Sequence, residues 1–145
     1  MNKTLITLIL LILPIIGFCD TLDYWEVYRN DAVIARFNSA SRDLKIEMDR
    51  SQIKKGDTLT LRHGDDTPCN NCKIVLFVRD DKMRKLGLTE TKKCCGNLSF
   101  ALTNLVEFGG EIKSKRLDFY YWEKDNNGDA TEMQLVFQVV LINDK

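Results

Sequence analysis

The residues of this chain that could most clearly carry chemistry are four of its five cysteines, which form two pairs. Cys69 and Cys72 are separated by two residues, and Cys94 and Cys95 are adjacent. Four thiolates can hold one zinc ion in a tetrahedral all-sulfur site, and the spaced pair is a common half of such a site. The adjacent pair departs from that pattern. In an exported chain, an even number of cysteines predicts disulfides instead.

We therefore expect two disulfides that join one pair to the other, with a zinc site at the same four cysteines as the alternative. A bridge between Cys94 and Cys95 themselves would strain the peptide between them. Which cysteine of the first pair bonds which of the second stays open. One bridge over about 25 residues would stabilise the fold by roughly 3.5 kcal/mol in the chain-entropy model. A thioredoxin-like redox role is disfavoured, because there the pair opens a helix, whereas Cys72 leads into a strand-like segment.

His63 is the only histidine, and a serine or cysteine nucleophile would normally need it as a base. No Gly-x-Ser-x-Gly motif accompanies it, so we expect a solvent-exposed loop histidine. Residues 125–129 resemble the start of a calcium loop. However, Val136 occupies the position where that loop needs an acid, and the Asn-Gly pair indicates a hairpin turn. We predict no catalytic residues and no cofactor.

Two aromatic segments, 24–28 and 120–122, are candidates for a binding surface. Aromatic strand residues usually belong to a core or to cross-strand pairs. In the second segment, alternation places Tyr120 and Trp122 on the face opposite to Leu117 and Phe119. If the latter pair points into the core, Tyr120 and Trp122 form an outward strip that could contact a sugar ring or a partner protein.

The segments that must position these residues alternate with the period of two that strands show. Asn30 and Asp31 tolerate the positive φ of a tight turn, so segments 23–29 and 33–37 should form a hairpin. Segment 74–78 is apolar throughout, as in a central strand covered on both faces. Further strands are expected at 44–48, 58–62, 98–102 with a helical turn after it, 117–122 and 133–141, the last two joined as a hairpin.

About eight strands without alternating helices predict an all-β fold: a two-sheet antiparallel sandwich, either immunoglobulin-like or jelly-roll. This sandwich should follow a signal peptide. Lys3 is the only charged residue before Asp20, and an uncharged, mostly apolar run lies between them. These features predict a signal peptide over 1–19 and a single domain over 20–145. The run is short for a spanning helix and contains Pro14, so we expect a mature chain that does not span the membrane.

Export to the periplasm or the outside of the cell is the expected localisation. Lipid attachment at Cys19 is the alternative, although Phe18 is larger than the residue that such a signal places before its cysteine. The 21 basic and 21 acidic residues leave no basic excess, so we expect no nucleic-acid partner.

The function that we expect is that of an exported, non-catalytic binding or structural module whose partner is an unknown protein or carbohydrate. One alternative is an exported enzyme, for example a carbohydrate-active one, whose two carboxylates cannot be picked out among 21 acids. The other is a small metal-binding protein that uses the four paired cysteines.

Overall fold

The computed structural model describes residues 23–64, 72–92, 96–107, 114–124, 127 and 130–142. The described residues form nine strands, one short α-helix and one 3₁₀ turn. The strands are β1 (Tyr24–Arg29), β2 (Ala32–Asn38), β3 (Lys45–Asp49), β4 (Thr58–Gly64), β5 (Lys73–Asp80), β6 (Lys85–Thr91), β7 (Leu98–Ala101), β8 (Arg116–Lys124) and β9 (Gln134–Ile142). The helix α1 is Leu102–Glu107, and the 3₁₀ turn η1 is Arg50–Gln52.

The strands form two sheets, in the orders β2-β1-β4-β7 and β3-β9-β8-β5-β6. The predicted all-β, two-sheet fold is therefore confirmed. All neighbouring strands are antiparallel except β3 and β9, which run parallel, with Ile46 opposite Val139. None of the described helices is long and apolar enough to cross a membrane.

The two predicted hairpins are present. β1 and β2 pair across a turn in which Asn30 has a φ of +54°, the left-handed conformation that asparagine tolerates better than most residues. β8 and β9 pair with Phe119 opposite Phe137, and a bulge follows Phe119. The predicted short helical turn after β7 is confirmed as α1.

A single hydrophobic core fills the space between the sheets, as alternation predicts for strands with one inward face. Its aromatic centre is Phe137, whose ring stacks on Phe119 with centroids 4.3 Å apart and lies 6.1 Å from Phe37 of the other sheet. β5 lies between β8 and β6, and the residues from Ile74 to Val78 are buried on both faces, so the predicted central strand is confirmed.

Candidate functional site

Tyr120 and Trp122 lie on the outer face of the five-stranded sheet, because Phe119 and Tyr121, the residues that precede them, point into the core. Both rings are half-buried rather than fully open. Trp122 meets Phe77 edge to face, with ring centroids 6.0 Å apart. The Arg79 guanidinium lies 4.9 Å from the Phe77 ring centre and 5.7 Å from that of Tyr120. The predicted strip therefore exists as a mixed cation–aromatic cluster, and its role in binding stays a prediction.

The prediction that His63 is an exposed loop residue is wrong. It lies in β4, is 6% exposed, and packs opposite Trp25 with ring centroids 5.5 Å apart. The physical reason is simple: the alternation that buries Leu59 and Leu61 continues for one more step, so position 63 also points inward. That alternation was visible in the sequence, but the turn-forming residues after Gly64 led to the assignment of His63 to a loop.

His63 belongs to a buried hydrogen-bonded chain that links the two sheets. The Tyr121 hydroxyl lies 2.8 Å from Nδ1 of His63 and donates to Oε1 of Glu123 over 2.6 Å. Because a hydroxyl has one proton, Nδ1 must carry the hydrogen that Tyr121 accepts. These three side chains line part of a cavity of about 180 Å³. Thr131, which also lines this cavity, is hydrogen-bonded to the backbone of Glu123. The contacts between His63 and Tyr121 thus cross-link the two sheets.

Of the four paired cysteines, the structure describes Cys72, which is buried immediately before β5. Cys69, Cys94 and Cys95 lie outside the described residues. The pairing of these cysteines, and the zinc alternative, therefore stay predictions.

A polar groove of about 550 Å³ crosses the outer face of the four-stranded sheet. Strand alternation builds it. Leu59 and Leu61 point into the core, so Thr60 and Arg62 beside them point outward. The same rule applies to β7, where Leu98 is buried and its neighbours face the groove. The lining residues are Tyr28, Asn30, Asp31, Thr58, Thr60, Arg62, Asn97 and Ser99.

The side chains of the polar groove are held in place by the strand register and by hydrogen bonds. Thr60 pairs with Tyr28 on one side and Ser99 on the other, and the Thr60 and Ser99 hydroxyls are 2.8 Å apart. The Tyr28 hydroxyl donates to Oε2 of Glu26 over 2.6 Å. The groove thus presents a fixed array of hydroxyl and amide groups around one aromatic ring.

Acidic and basic side chains around the polar groove balance one another in charge. The Tyr28 hydroxyl, and then Arg36 at 2.9 Å, lower the pKa of Glu26, which sits beside the groove. The hydrogen bond with the Tyr28 hydroxyl, followed by the charge of the Glu26 carboxylate, raises the pKa of Arg62. Within the lining itself, Arg62 and Asp31 carry opposite charges. Ligand recognition here would therefore depend on hydrogen bonding more than on net charge.

Sequence reasoning missed the polar groove. Its signal was present, since hydroxyl-bearing residues alternate with apolar residues along β4 and β7. What could not be seen was that these two strands, together with β1, lie side by side in one sheet. Comparison with protein-family models, curated proteins and solved structures gave no match. The case for a function therefore rests on the geometry of the groove.

Proposed function

We propose that this chain is an exported, non-catalytic β-sandwich domain that binds a carbohydrate in the polar groove. The observation that carries the proposal is the groove itself: donor and acceptor side chains stand at fixed positions on three paired strands, next to the ring of Tyr28. Sugars combine hydroxyls, which both donate and accept, with apolar ring faces. The volume of the polar groove, about 550 Å³, lies within the usual range of small-molecule sites.

The carboxylates near the polar groove support binding rather than glycoside hydrolysis. Hydrolysis uses two carboxyl groups that face each other across the scissile bond. The lining contributes one carboxylate, Asp31. Glu26 lies close by, but its two oxygens accept hydrogen bonds from Tyr28 and Arg36. These bonds hold Glu26 ionised and away from the role of a general acid.

Calorimetry on the protein as its host processes it, with cello-, xylo- and malto-hexaose as probes, tests the proposal. We expect saturable binding of at least one probe. Tyr28→Ala and Arg62→Ala should each weaken it at least about tenfold, because each removes a central contact of a pre-organised site. Trp122→Ala on the opposite sheet is the matched aromatic control and should bind like the wild type. Failure of all three sugars to bind would reject a carbohydrate function.

A second candidate function is attachment to a partner protein through the outer face of the five-stranded sheet. The observation that favours it is an apolar row across four strands, in which Leu88, Phe77, Tyr120 and Leu135 stand opposite one another. Leu88, at one end of the row, is 42% exposed. In the experiment above, loss of sugar binding in Trp122→Ala with retention in Tyr28→Ala would move the sugar site to this face and count against its use for a partner protein.

Export and the cysteine bridges complete the proposal. In the β5–β6 hairpin, Ile74 lies opposite Thr91, so β5 begins where β6 ends. Cys72 precedes Ile74 by two residues, and Cys94 and Cys95 follow Thr91 within four. This proximity supports covalent links between the two cysteine pairs, which are stable in the oxidising compartment that a signal peptide would deliver them to.

A further inference from the structure

We infer that the ligand is an oligosaccharide with an anionic group, and that it passes over the β1–β2 turn to place that group beside Lys54. This inference rests on the carbohydrate groove proposed above. It adds the length and the charge of the ligand, which the polar groove by itself does not specify.

The concave surface continues beyond the polar groove. A second hollow of about 600 Å³ lies on the other side of the β1–β2 turn, and the two share Asn30 as a common wall. A single sugar unit can occupy only one of the two hollows at a time, so a ligand that reaches both needs several linked units. The residues that line the second hollow are Arg29, Asn30, Ser51, Gln52, Lys54 and Asp57.

Asn30, which lines both hollows, is held in place by hydrogen bonds, so the two hollows lie side by side on one surface. The backbone N–H of Asn30 donates to the Thr58 carbonyl over 2.9 Å, and Oδ1 of Asn30 accepts from the Thr58 N–H over 3.0 Å. Nδ2 of Asn30 donates to Asp57 over 3.2 Å. Because both Oδ1 and Nδ2 of Asn30 are hydrogen-bonded, its side chain is fixed between the two hollows. A ligand that crosses it would not have to reorient this side chain.

The second hollow is lined by one more basic residue than acidic residues. Arg29 pairs with Asp57 at 2.7 Å and also donates to the carbonyl of Gln52. Asp57 stays a carboxylate, because the hydrogen bond from Arg29, followed by those from the backbone of Lys54 and from Asn30, lowers its pKa to about 2. Arg29 and Asp57 therefore neutralise each other. Of the charged residues lining this hollow, Lys54 is the one left outside that pair, and it favours an anion.

Two hexasaccharides with the same linkage make a matched pair of probes: neutral cellohexaose and β-1,4-linked glucuronic acid hexamer. We expect the wild type to bind the glucuronic acid hexamer about two- to fivefold more tightly, the range that one exposed ion pair provides. Lys54→Ala should abolish this difference. Lys55→Ala, the adjacent lysine outside the hollow, is the control and should preserve it. Raising the salt concentration should shrink the difference in the wild type.

The results of these titrations test the anionic, extended ligand separately from the carbohydrate groove. Equal affinity for the two hexamers in the wild type, or a preference that survives Lys54→Ala, would overturn the anionic ligand while leaving the carbohydrate groove in place. Glucuronic acid monomer binding as tightly as the hexamer would overturn the extended ligand. If neither hexamer binds and xylo- and maltohexaose also fail to bind, or if Tyr28→Ala leaves the affinities unchanged, the carbohydrate groove itself is rejected together with this inference.

Discussion

Single residues in this protein take their roles from the face of the strand that they occupy. Arg62 and His63 are neighbours in β4, yet Arg62 lines the polar groove while His63 is buried against Trp25. A one-residue change of register would exchange these two environments. The same logic separates Phe119 in the core from Tyr120 on the outer face of the other sheet.

Phe137→Ala should destabilise the fold by about 3–5 kcal/mol, the cost of removing a fully buried aromatic ring. Its ring has no solvent exposure and stacks on Phe119. The free energy of unfolding, from urea titration, measures the change. Ile142→Ala, on the same strand but 45% exposed, is the control and should cost much less. A loss below about 1 kcal/mol for Phe137→Ala would contradict its place in the core.

Asp57 should make stability fall between about pH 4 and pH 2. Its pKa in the folded state, about 2, lies below the value of roughly 3.9 for an unfolded aspartate. The stabilisation is therefore complete above the unfolded pKa and is lost as the pH falls through the folded one. Asp57→Asn should flatten this part of the curve of Tm against pH, whereas Glu47→Gln, at an exposed position of β3, should not. Superimposable curves for wild type and Asp57→Asn would disprove the effect.

At the scale of the elements, turns and paired ends decide how firmly each hairpin is held. The β5–β6 turn contains Met83 with a φ of +61°, a conformation that costs a side chain with a Cβ atom free energy. Asp80 binds this turn by accepting from the backbone N–H groups of Lys82 and Arg84. The turn is thus well bonded but carries a residue poorly suited to its backbone.

Met83→Gly should stabilise the protein by up to about 1 kcal/mol, because glycine adopts a positive φ without steric cost. Met83 is 56% exposed, so little packing is lost with its side chain. Met133→Gly is a matched control: Met133 is 42% exposed and does not have a positive φ, so this change should destabilise. Urea unfolding of both variants gives the comparison, and a loss of stability in Met83→Gly would refute the argument.

The cysteine pairs should covalently close the end of the β5–β6 hairpin. We expect no reactive thiols at Cys69, Cys72, Cys94 and Cys95 when the mature protein is denatured without a reductant. Reduction should then lower the free energy of unfolding by a few kcal/mol and release no metal. Four reactive thiols with one equivalent of zinc, and unfolding by a chelator, would show that these cysteines are metal ligands instead.

At the scale of the whole molecule, alternation in the sequence predicted the two-sheet fold and both hairpins, since period-two patterning directly reports which face of each strand is buried. It could not predict the strand order. The position of β3 beside β9 depends on contacts between Ile46 and Val139 that lie far apart in the chain. The polar groove was missed for the same reason, because its walls come from three strands that only the sheet brings together.

The whole chain should also be processed at its N-terminus, within residues that the structure does not describe. We expect the protein purified from its native host to begin at Asp20, since a charged start and an apolar run precede it. Intact-mass spectrometry reads this directly. A mass that includes Met1 and Leu5 would refute cleavage, and a diacylated Cys19 would establish the lipoprotein alternative.

The parallel pairing of β3 with β9 has a consequence for the time course of folding. β3 precedes its partner β9 in the chain by the whole of the segment that holds β4 to β8. The five-stranded sheet therefore cannot close until every strand from β3 to β9 has been synthesised. Long-range closure of this kind slows folding, typically to milliseconds or seconds for β-sandwiches. The export that we propose would use a secretion channel that takes an unfolded chain, and this topology lengthens the interval in which the chain stays unfolded.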